Sequence, residues 1–341
     1  MSIQGSHRIK KTVYLLGFAG AALFTVLLIR QGTSAVALAV ARAGWWIAAI
    51  AAFHLVPLFM DTMAWSALLP KTNRLPWYQL FWMRWIGESI SNLVPSAAIG
   101  GDVVRTRLAT VRGVPLPIAA ASVIADITLG IFAQAGFTFL GLALLVHVTG
   151  RTSLIRPTLV GVGIGLLAVI MFLLAQRRGI FRFLTEMISR LTNSSEWQSL
   201  VQDGESLDAE VRAIYGRHGA LAANIGWTVI SLLSSTGEIW IALHALGSSA
   251  TFVNALILQS MAMTIRSAAF PVPGAVGVQE GGYLVIGNLL GIPGGTAFAI
   301  SLLARVRDFA VGVPALLVWQ VFEGRRFWRR RAPEASGYRS S

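Results

Sequence analysis

The chain has 341 residues, of which 55% are hydrophobic and 13% are charged, and it contains no cysteine. These values exclude a disulfide scaffold, a cysteine-ligated metal site and a thiol enzyme. They also argue against a soluble globular protein, because too few polar residues are present to cover the apolar ones. The net charge of +13 would favour nucleic acid as the partner of a soluble protein. Here the basic residues flank apolar segments, so we expect no nucleic-acid partner.

Long apolar segments predict an all-α, polytopic integral membrane protein. About 20 residues cross a bilayer as a helix, and no segment shows the sustained alternation of a membrane strand. Residues 12–29 follow three basic residues and predict a first membrane helix, with a cleaved secretory signal as the alternative. The other candidate segments are 45–69, 77–93, 116–147, 157–176, 220–246, 252–272 and 295–321.

Lys and Arg in short loops predict the orientation of membrane helices, since they favour the cytoplasmic side. Basic residues lie on both sides of 77–93, whereas the flanks of 252–272 have none. Both segments are followed by residues that break helices, so we expect re-entrant hairpins over 77–113 and 252–290. The expected hinge residues are Pro95, Gly100, Gly101, Pro273 and Gly277. The pattern predicts about six transmembrane helices plus these two hairpins, with both termini cytoplasmic.

The segments divide a single membrane domain, residues 1–341, into two halves. After the first helix (12–29), residues 45–147 form the first half and residues 220–321 the second. Residues 177–218 hold six acidic residues with apolar residues at helical spacing, which predicts a cytoplasmic amphipathic linker, or alternatively a docking site for a partner. Residues 322–341 form a basic cytoplasmic tail.

The two halves share motifs at a constant spacing. Pro95 and Pro273 are 178 positions apart (273 − 95), and so are Asp102 and Glu280 (280 − 102). The segments Gly113-Val114-Pro115 and Gly291-Ile292-Pro293 keep the same spacing. The orientation expected from the basic residues differs between the halves, so the chain predicts an inverted repeat, an architecture known in transporters. Chance recurrence of Pro and Gly is the alternative.

Charged residues within the apolar segments are the candidate functional residues. A lone charge at the bilayer centre costs at least about 2.5–3.5 kcal/mol, so these groups must pair or line a wet cavity. Arg suits a lipid phosphate, because its planar guanidinium binds phosphate oxygens at two points. The candidate substrate-binding residues are Arg84, Glu88, Asp102, Arg105, Arg107, Arg266, Glu280, Arg305 and Asp308. The candidate proton- or ion-coupling residues are Asp61, Asp126 and Glu238.

Helical spacing also allows structural pairs, Arg84 with Glu88 and Arg305 with Asp308. His54 and His244 lie within apolar segments and are interpreted as buried polar contacts. No pair of residues has metal-ligand spacing, and HExxH, GxSxG and P-loop motifs are absent from the sequence. We therefore expect no metal, no cofactor and no enzymatic activity.

Three stretches carry a family resemblance: 84–115 (RWIGESISNLVPSAAIGGDVVRTRLATVRGVP), 270–293 (FPVPGAVGVQEGGYLVIGNLLGIP) and 302–308 (LLARVRD). Their motifs resemble the flippase-like transmembrane family related to the lysylphosphatidylglycerol synthase membrane region. The segment HLVPLFMDTMAW and the WIGES…GGD motif are also similar to its hopanoid-biosynthesis-associated branch. Asp102 departs from the pattern, which more often has Glu. The resemblance implies the membrane function without the aminoacyl-transfer activity, whose domain we do not expect here.

Together these features predict a lipid transporter, or flippase, of a bacterial inner membrane. It would move a phospholipid, hopanoid or glycolipid between leaflets, downhill or coupled to an ion gradient. The alternative is a lipid-binding accessory subunit that does not transport and whose partner is a lipid-biosynthesis enzyme. The sequence leaves the lipid, the direction, the coupling ion and the oligomeric state open.

Overall fold

Every element that the structure describes is helical. The structure is a computed structural model and describes residues 43–93, 100–150, 155–177, 197–269, 272 and 275–331. No strand occurs within these ranges, which confirms the all-α prediction. The expected first helix 12–29 and the expected hinge residues Pro95 and Pro273 lie outside the described residues.

The helices follow the predicted segments closely. They are α1 (Trp46–Phe53), α2 (Leu55–Leu68), α3 (Trp77–Leu93), α4 (Gly100–Val111), α5 (Leu116–Thr149), α6 (Ile155–Arg177), α7 (Trp197–Tyr215), α8 (His218–Ala245), α9 (Phe252–Ala268), α10 (Val278–Leu289) and α11 (Gly294–Arg331). A short 3₁₀ turn, Lys71–Asn73, connects α2 to α3.

Three of the described stretches are long and apolar enough to cross a membrane. They are Trp46–Leu68, which comprises α1 and α2, then Leu116–Thr149 and His218–Ala245. Their length and composition support a protein that passes the membrane several times. The total of about six spanning helices and the two re-entrant hairpins stay predictions.

The same order of helices occurs twice along the chain. Helices α4 and α10 have 12 residues each and start 178 positions apart (278 − 100), as do α5 and α11 (294 − 116). A glycine with positive φ precedes each long helix, Gly113 at 94° and Gly291 at 73°. Glycine reaches this conformation without strain, and the proline that follows two residues later suits the start of a helix.

The two halves have an exchanged packing, in which helices of each half lie against helices of the other half. Helix α3 of the first half packs on α11, while its counterpart α9 packs on α5, and α2 lies against α8. Small residues allow these close approaches, as is common between membrane helices. A Cβ at Gly312 would lie 2.6 Å from the Leu93 side chain, and one at Gly141 would lie 1.7 Å from the Ser260 hydroxyl.

Within the first half, α3 and α4 touch through their backbones. A Cβ added at Gly101 would lie 1.9 Å from the Gly87 carbonyl oxygen and 2.3 Å from the Ser91 hydroxyl. Only glycine fits at that point. Gly101, an expected hinge residue, therefore also sets the closest contact between these helices.

Within 177–218 the structure describes helix α7, Trp197–Tyr215, while the apolar residues on which the expected amphipathic linker rests fall within 178–196, outside the described ranges. The apolar residues Val211 and Ile214 of α7 are buried in a cluster with Leu68 and with Ala125 of α5. The apolar face of α7 is thus covered by the helix bundle. Arg217, directly after α7, donates a hydrogen bond to the Leu68 carbonyl and fixes the same junction.

Candidate functional site

A histidine at a helix break connects the two halves. Helix α1 ends at Phe53, four residues before Pro57, which has no N–H to donate to the Phe53 carbonyl. His54 occupies this break. Its Nε2 lies 3.0 Å from Glu88 Oε1 on α3, and its Nδ1 lies 3.0 Å from Glu238 Oε1 on α8. One imidazole therefore joins a carboxylate of each half.

The second oxygen of Glu238 continues the network. Arg307 on α11 pairs with it and also lies 2.8 Å from the Asp308 carboxylate. Asp308 in turn lies 3.8 Å from Arg266 on α9, and Arg266 donates a 2.8 Å hydrogen bond to Asn92 on α3. The Glu238 side chain is only 1% exposed, so its charge depends on these partners.

Asp126 on α5 is the centre of a second polar cluster. It accepts hydrogen bonds from Arg84 at 2.6 Å and from Arg105 at 2.8 Å. Its other oxygen accepts one from Asn224 of α8 at 2.9 Å, and Asn224 also donates to the Ala64 carbonyl. This cluster ties α2, α3, α4 and α8 to α5.

Arg84 and Arg105 each contact a further carboxylate. Arg84 lies 3.3 Å from Asp61 on α2, while Arg105 lies 2.9 Å from Asp102 on its own helix. The Arg105 guanidinium also lies 4.8 Å from the centre of the Trp65 ring, a favourable cation–π distance. Arg105 is 2% exposed and so acts within the protein interior.

A third pair lies at the start of α10. Glu280 is fully buried and pairs with Arg305 of α11. Its other oxygen accepts a 2.7 Å hydrogen bond from the Gly277 backbone N–H. Gly277 has φ of +80°, which glycine adopts readily. The carboxylate thus holds the turn that begins α10.

A cavity of about 410 Å³ lies between the two halves. Both halves contribute to its wall, which combines apolar side chains with charged and neutral polar ones. The charged and imidazole groups are His54, Asp61, Glu88, Glu238, Arg266 and Arg307. The neutral polar groups include Asn92, Ser231, Ser235, Gln259, Ser267, Gln279 and Tyr283.

The structure brings some of the predicted site residues together at this cavity. Glu88 and Arg266 line it from the substrate-binding group, and Asp61 and Glu238 line it from the coupling group. Asp308 reaches it through Arg266 and Arg307. The remaining predicted residues lie elsewhere: Arg84, Asp102, Arg105 and Asp126 in the second cluster, Glu280 and Arg305 in the pair at α10, and Arg107 exposed on α4.

The pairs expected from helical spacing are not formed. Arg84 bonds to Asp61 and Asp126, and Glu88 bonds to His54 instead of Arg84. Asp308 pairs with Arg307 and Arg266 instead of Arg305. Arg84 and Glu88 thus have partners on other segments, whereas Asp308 has one partner on α9 and one, Arg307, beside it on α11.

The sequence interpretation missed His54 as a site residue and treated it as a plain buried contact. It also left Arg307 out of the candidate site. An ionisable residue within a membrane segment marks a candidate site by default, and this rule applies to histidine as well as to the carboxylates. His244 contacts the Trp240 carbonyl of its own helix but is exposed, so the expected burial is wrong for this residue.

The fold and the site are those of a multi-pass α-helical membrane protein. Charged residues line a cavity between its two similar halves. The family model described as lysylphosphatidylglycerol synthase TM region matches residues 14–315, and the chain belongs to this family. The resemblance expected from the motifs is therefore confirmed. None of the curated proteins searched matches the chain. Membership indicates a membrane protein with a lipid-related role.

Proposed function

We propose that this protein moves a polar-headed lipid between the leaflets of a bacterial inner membrane. The supporting observation is the cavity between the halves, whose wall offers charged, amide and hydroxyl groups beside apolar side chains. Burial of an unsolvated headgroup is the main barrier to flipping. A cavity of this composition lowers that barrier, because the headgroup exchanges water for protein hydrogen bonds while its chains stay in lipid.

The two halves have opposite orientations in this proposal, with both termini cytoplasmic. Helices α3–α4 and α9–α10 enter the membrane as hairpins from opposite sides. The matching helix order and the exchanged packing support a two-fold relationship between the halves, and such a relationship permits alternating access around a central site. The phospholipid, hopanoid or glycolipid is carried without chemical change, so the protein is not an enzyme.

Arg266 is the cavity residue best suited to a lipid phosphate. Its side chain is 32% exposed, and within the protein it has a neutral partner, Asn92, at 2.8 Å and a distant carboxylate, Asp308, at 3.8 Å. A phosphate therefore gains a two-point contact with the guanidinium without breaking a close ion pair.

The test is leaflet transfer in reconstituted vesicles. Vesicles of phosphatidylethanolamine and phosphatidylglycerol carry a trace of NBD-labelled phosphatidylglycerol, phosphatidylethanolamine or glucosyl diacylglycerol, and dithionite quenches the label in the outer leaflet. We expect the protein to increase the quenched fraction for at least one lipid.

Arg266→Gln should slow phospholipid transfer, whereas the matched variant Arg156→Gln, at an exposed position on α6, should not. Equal quenching in protein-containing and empty vesicles for every lipid would disprove the proposal.

The same assay separates transport from the role of an accessory subunit. A subunit that only binds lipid would retain labelled lipid through purification yet leave its leaflet distribution unchanged. Leaflet transfer by the purified protein alone would exclude that alternative as its sole role.

A further inference from the structure

We infer that His54, Glu88 and Glu238 together form a binding site for one exchangeable proton, and that this proton couples the two halves during transport. The inference rests on the proposed function only for its second part. The first part follows from the number of hydrogen-bond donors at the site.

The protonation state of the imidazole determines how many hydrogen-bond donors the site has. A neutral imidazole has one N–H donor and one acceptor nitrogen, while an ionised carboxylate only accepts. Here both ring nitrogens of His54 lie 3.0 Å from a carboxylate oxygen. If both carboxylates were ionised and the ring were neutral, one of the two contacts would place a hydrogen-bond acceptor of the ring opposite an acceptor of the carboxylate. The observed geometry therefore requires one added proton, held either on the ring or on one of the carboxyl groups.

The proton can reach this site. His54, Glu88 and Glu238 all line the cavity between the halves, and the Glu88 side chain is 27% exposed. When a hydronium ion delivers the proton, one of its O–H bonds breaks to leave water, an N–H or O–H bond forms at the site, and both contacts close. When it leaves, one contact must open. No other covalent bond changes in this step.

The surrounding charges favour a site of this kind without fixing the proton permanently. Arg307 on α11 pairs with Glu238 and compensates part of its charge. Among the described residues no guanidinium or ammonium group bonds to Glu88, and Arg84 on the same helix is held by Asp61 and Asp126. In the described part of the chain, the other ionisable groups near the cluster are Asp61 on α2, Asp308 beside Arg307, Arg266 on α9 and Tyr283 on α10.

The position of the proton site explains how it would act on the structure. Glu88 is on α3 of the first half and Glu238 is on α8 of the second, while His54 is at the break between α1 and α2. Loss of the proton removes one of the two bonds that the imidazole makes, to Glu88 within the first half and to Glu238 across the halves. The break at His54 supplies a point where the helix can bend when that bond opens. A proton gradient would then bias which arrangement of the halves is populated.

The site is tested first without any lipid transport. Protein labelled with ¹⁵N-histidine is placed in nanodiscs, and the His54 signals are assigned by their loss in His54→Gln. We expect these signals to change in one titration step as the pH rises from about 5 to about 10. In Glu88→Gln the step should disappear, because an amide can both donate and accept and so satisfies a neutral ring without an added proton. His54 signals that stay constant over the whole range in the wild-type protein would overturn the inference.

Coupling is tested in the vesicles described above with an imposed pH gradient and the labelled lipid that the wild-type protein transfers best. We expect the wild-type transfer rate to change about tenfold across the interval in which the His54 signals change, within about pH 5 to about pH 10. The change should fall below about twofold in His54→Gln and persist in the matched control His244→Gln, whose histidine lies outside the cavity. Lipid transfer that responds equally to pH in all three proteins would overturn the coupling. A failure of all three to move lipid would instead disprove the transport proposal, with the histidine titration still deciding the proton site.

Discussion

The Arg105 guanidinium lies 2.8 Å from the Asp126 carboxylate in the interior of the bundle, where the two side chains are 3% and 7% exposed. Asp126 also balances Arg84. One carboxylate therefore compensates two guanidinium groups from two helices, and its charge should matter more for folding than that of an exposed acid.

Asp126→Asn should destabilise the protein by about 3–5 kcal/mol, because it leaves two buried cations short of a counter-charge. Asp102→Asn is the matched control. Asp102 also pairs with Arg105 but is 33% exposed, so its loss should cost less than about 1 kcal/mol. Unfolding in detergent, followed by tryptophan fluorescence, measures both. Similar losses for the two variants would show that Asp126 is not the centre of this cluster.

Gly101→Ala should prevent α3 and α4 from packing as observed, since the new Cβ would meet the Gly87 carbonyl at 1.9 Å. Backbone cannot yield as a flexible side chain can, so the expected cost is about 3 kcal/mol, the upper end for overpacking. Gly130→Ala, in α5 with open space around it, should be neutral or slightly stabilising. Thermal stability and folded yield check the pair, and a well-folded Gly101→Ala protein would contradict the close contact.

Ser267→Trp should block lipid transfer by filling the cavity from its wall. Ser267 lines the cavity and is exposed, so the larger ring can be accommodated without disturbing buried side chains. The adjacent Ala268 is also exposed but does not line the cavity, and Ala268→Trp should transfer lipid at the wild-type rate. The dithionite assay compares the two variants at equal reconstitution. If both behave alike, lipid does not pass through this cavity.

Glu280→Gln should loosen the turn at the start of α10 and cost about 1.5–3 kcal/mol, the range for hydrogen bonds to charged groups. The amide keeps the shape of the side chain but removes the counter-charge of Arg305 and weakens the bond to the Gly277 N–H. Glu205→Gln, at an exposed position on α7, should change stability by less than about 0.5 kcal/mol. Hydrogen exchange at Gly277 provides a local measurement. Unchanged exchange there would argue against a role for Glu280 in the turn.

The course of the helices could be predicted from the sequence because apolar length and Pro or Gly breaks are local signals. The segment 77–93 coincides with α3, and α4 and α10 start 178 positions apart, the spacing that the shared motifs have. Helix α9 ends at Ala268, earlier than the expected 272, because Pro271 and Pro273 disfavour helical backbone in the residues before them.

The partners of the charged residues could not be predicted in the same way. Spacing along one helix favoured Arg84 with Glu88, yet their actual partners include Asp126, 42 positions away, and His54, 34 positions away. Such pairs depend on how helices pack, which periodicity does not encode. A histidine flanked by two acids from distant segments has no local signature apart from its place within an apolar segment.

The exchanged packing of the halves has a consequence for biosynthesis. Helix α3 leaves the ribosome roughly 200 residues before its neighbour α11, a delay of about 10–40 s at ordinary elongation rates of about 5–20 residues per second. During that interval Trp85 lacks the helix against which it later packs, because it donates its N–H to the Val311 carbonyl. We expect the insertion machinery or a membrane chaperone to shelter α3 until translation ends.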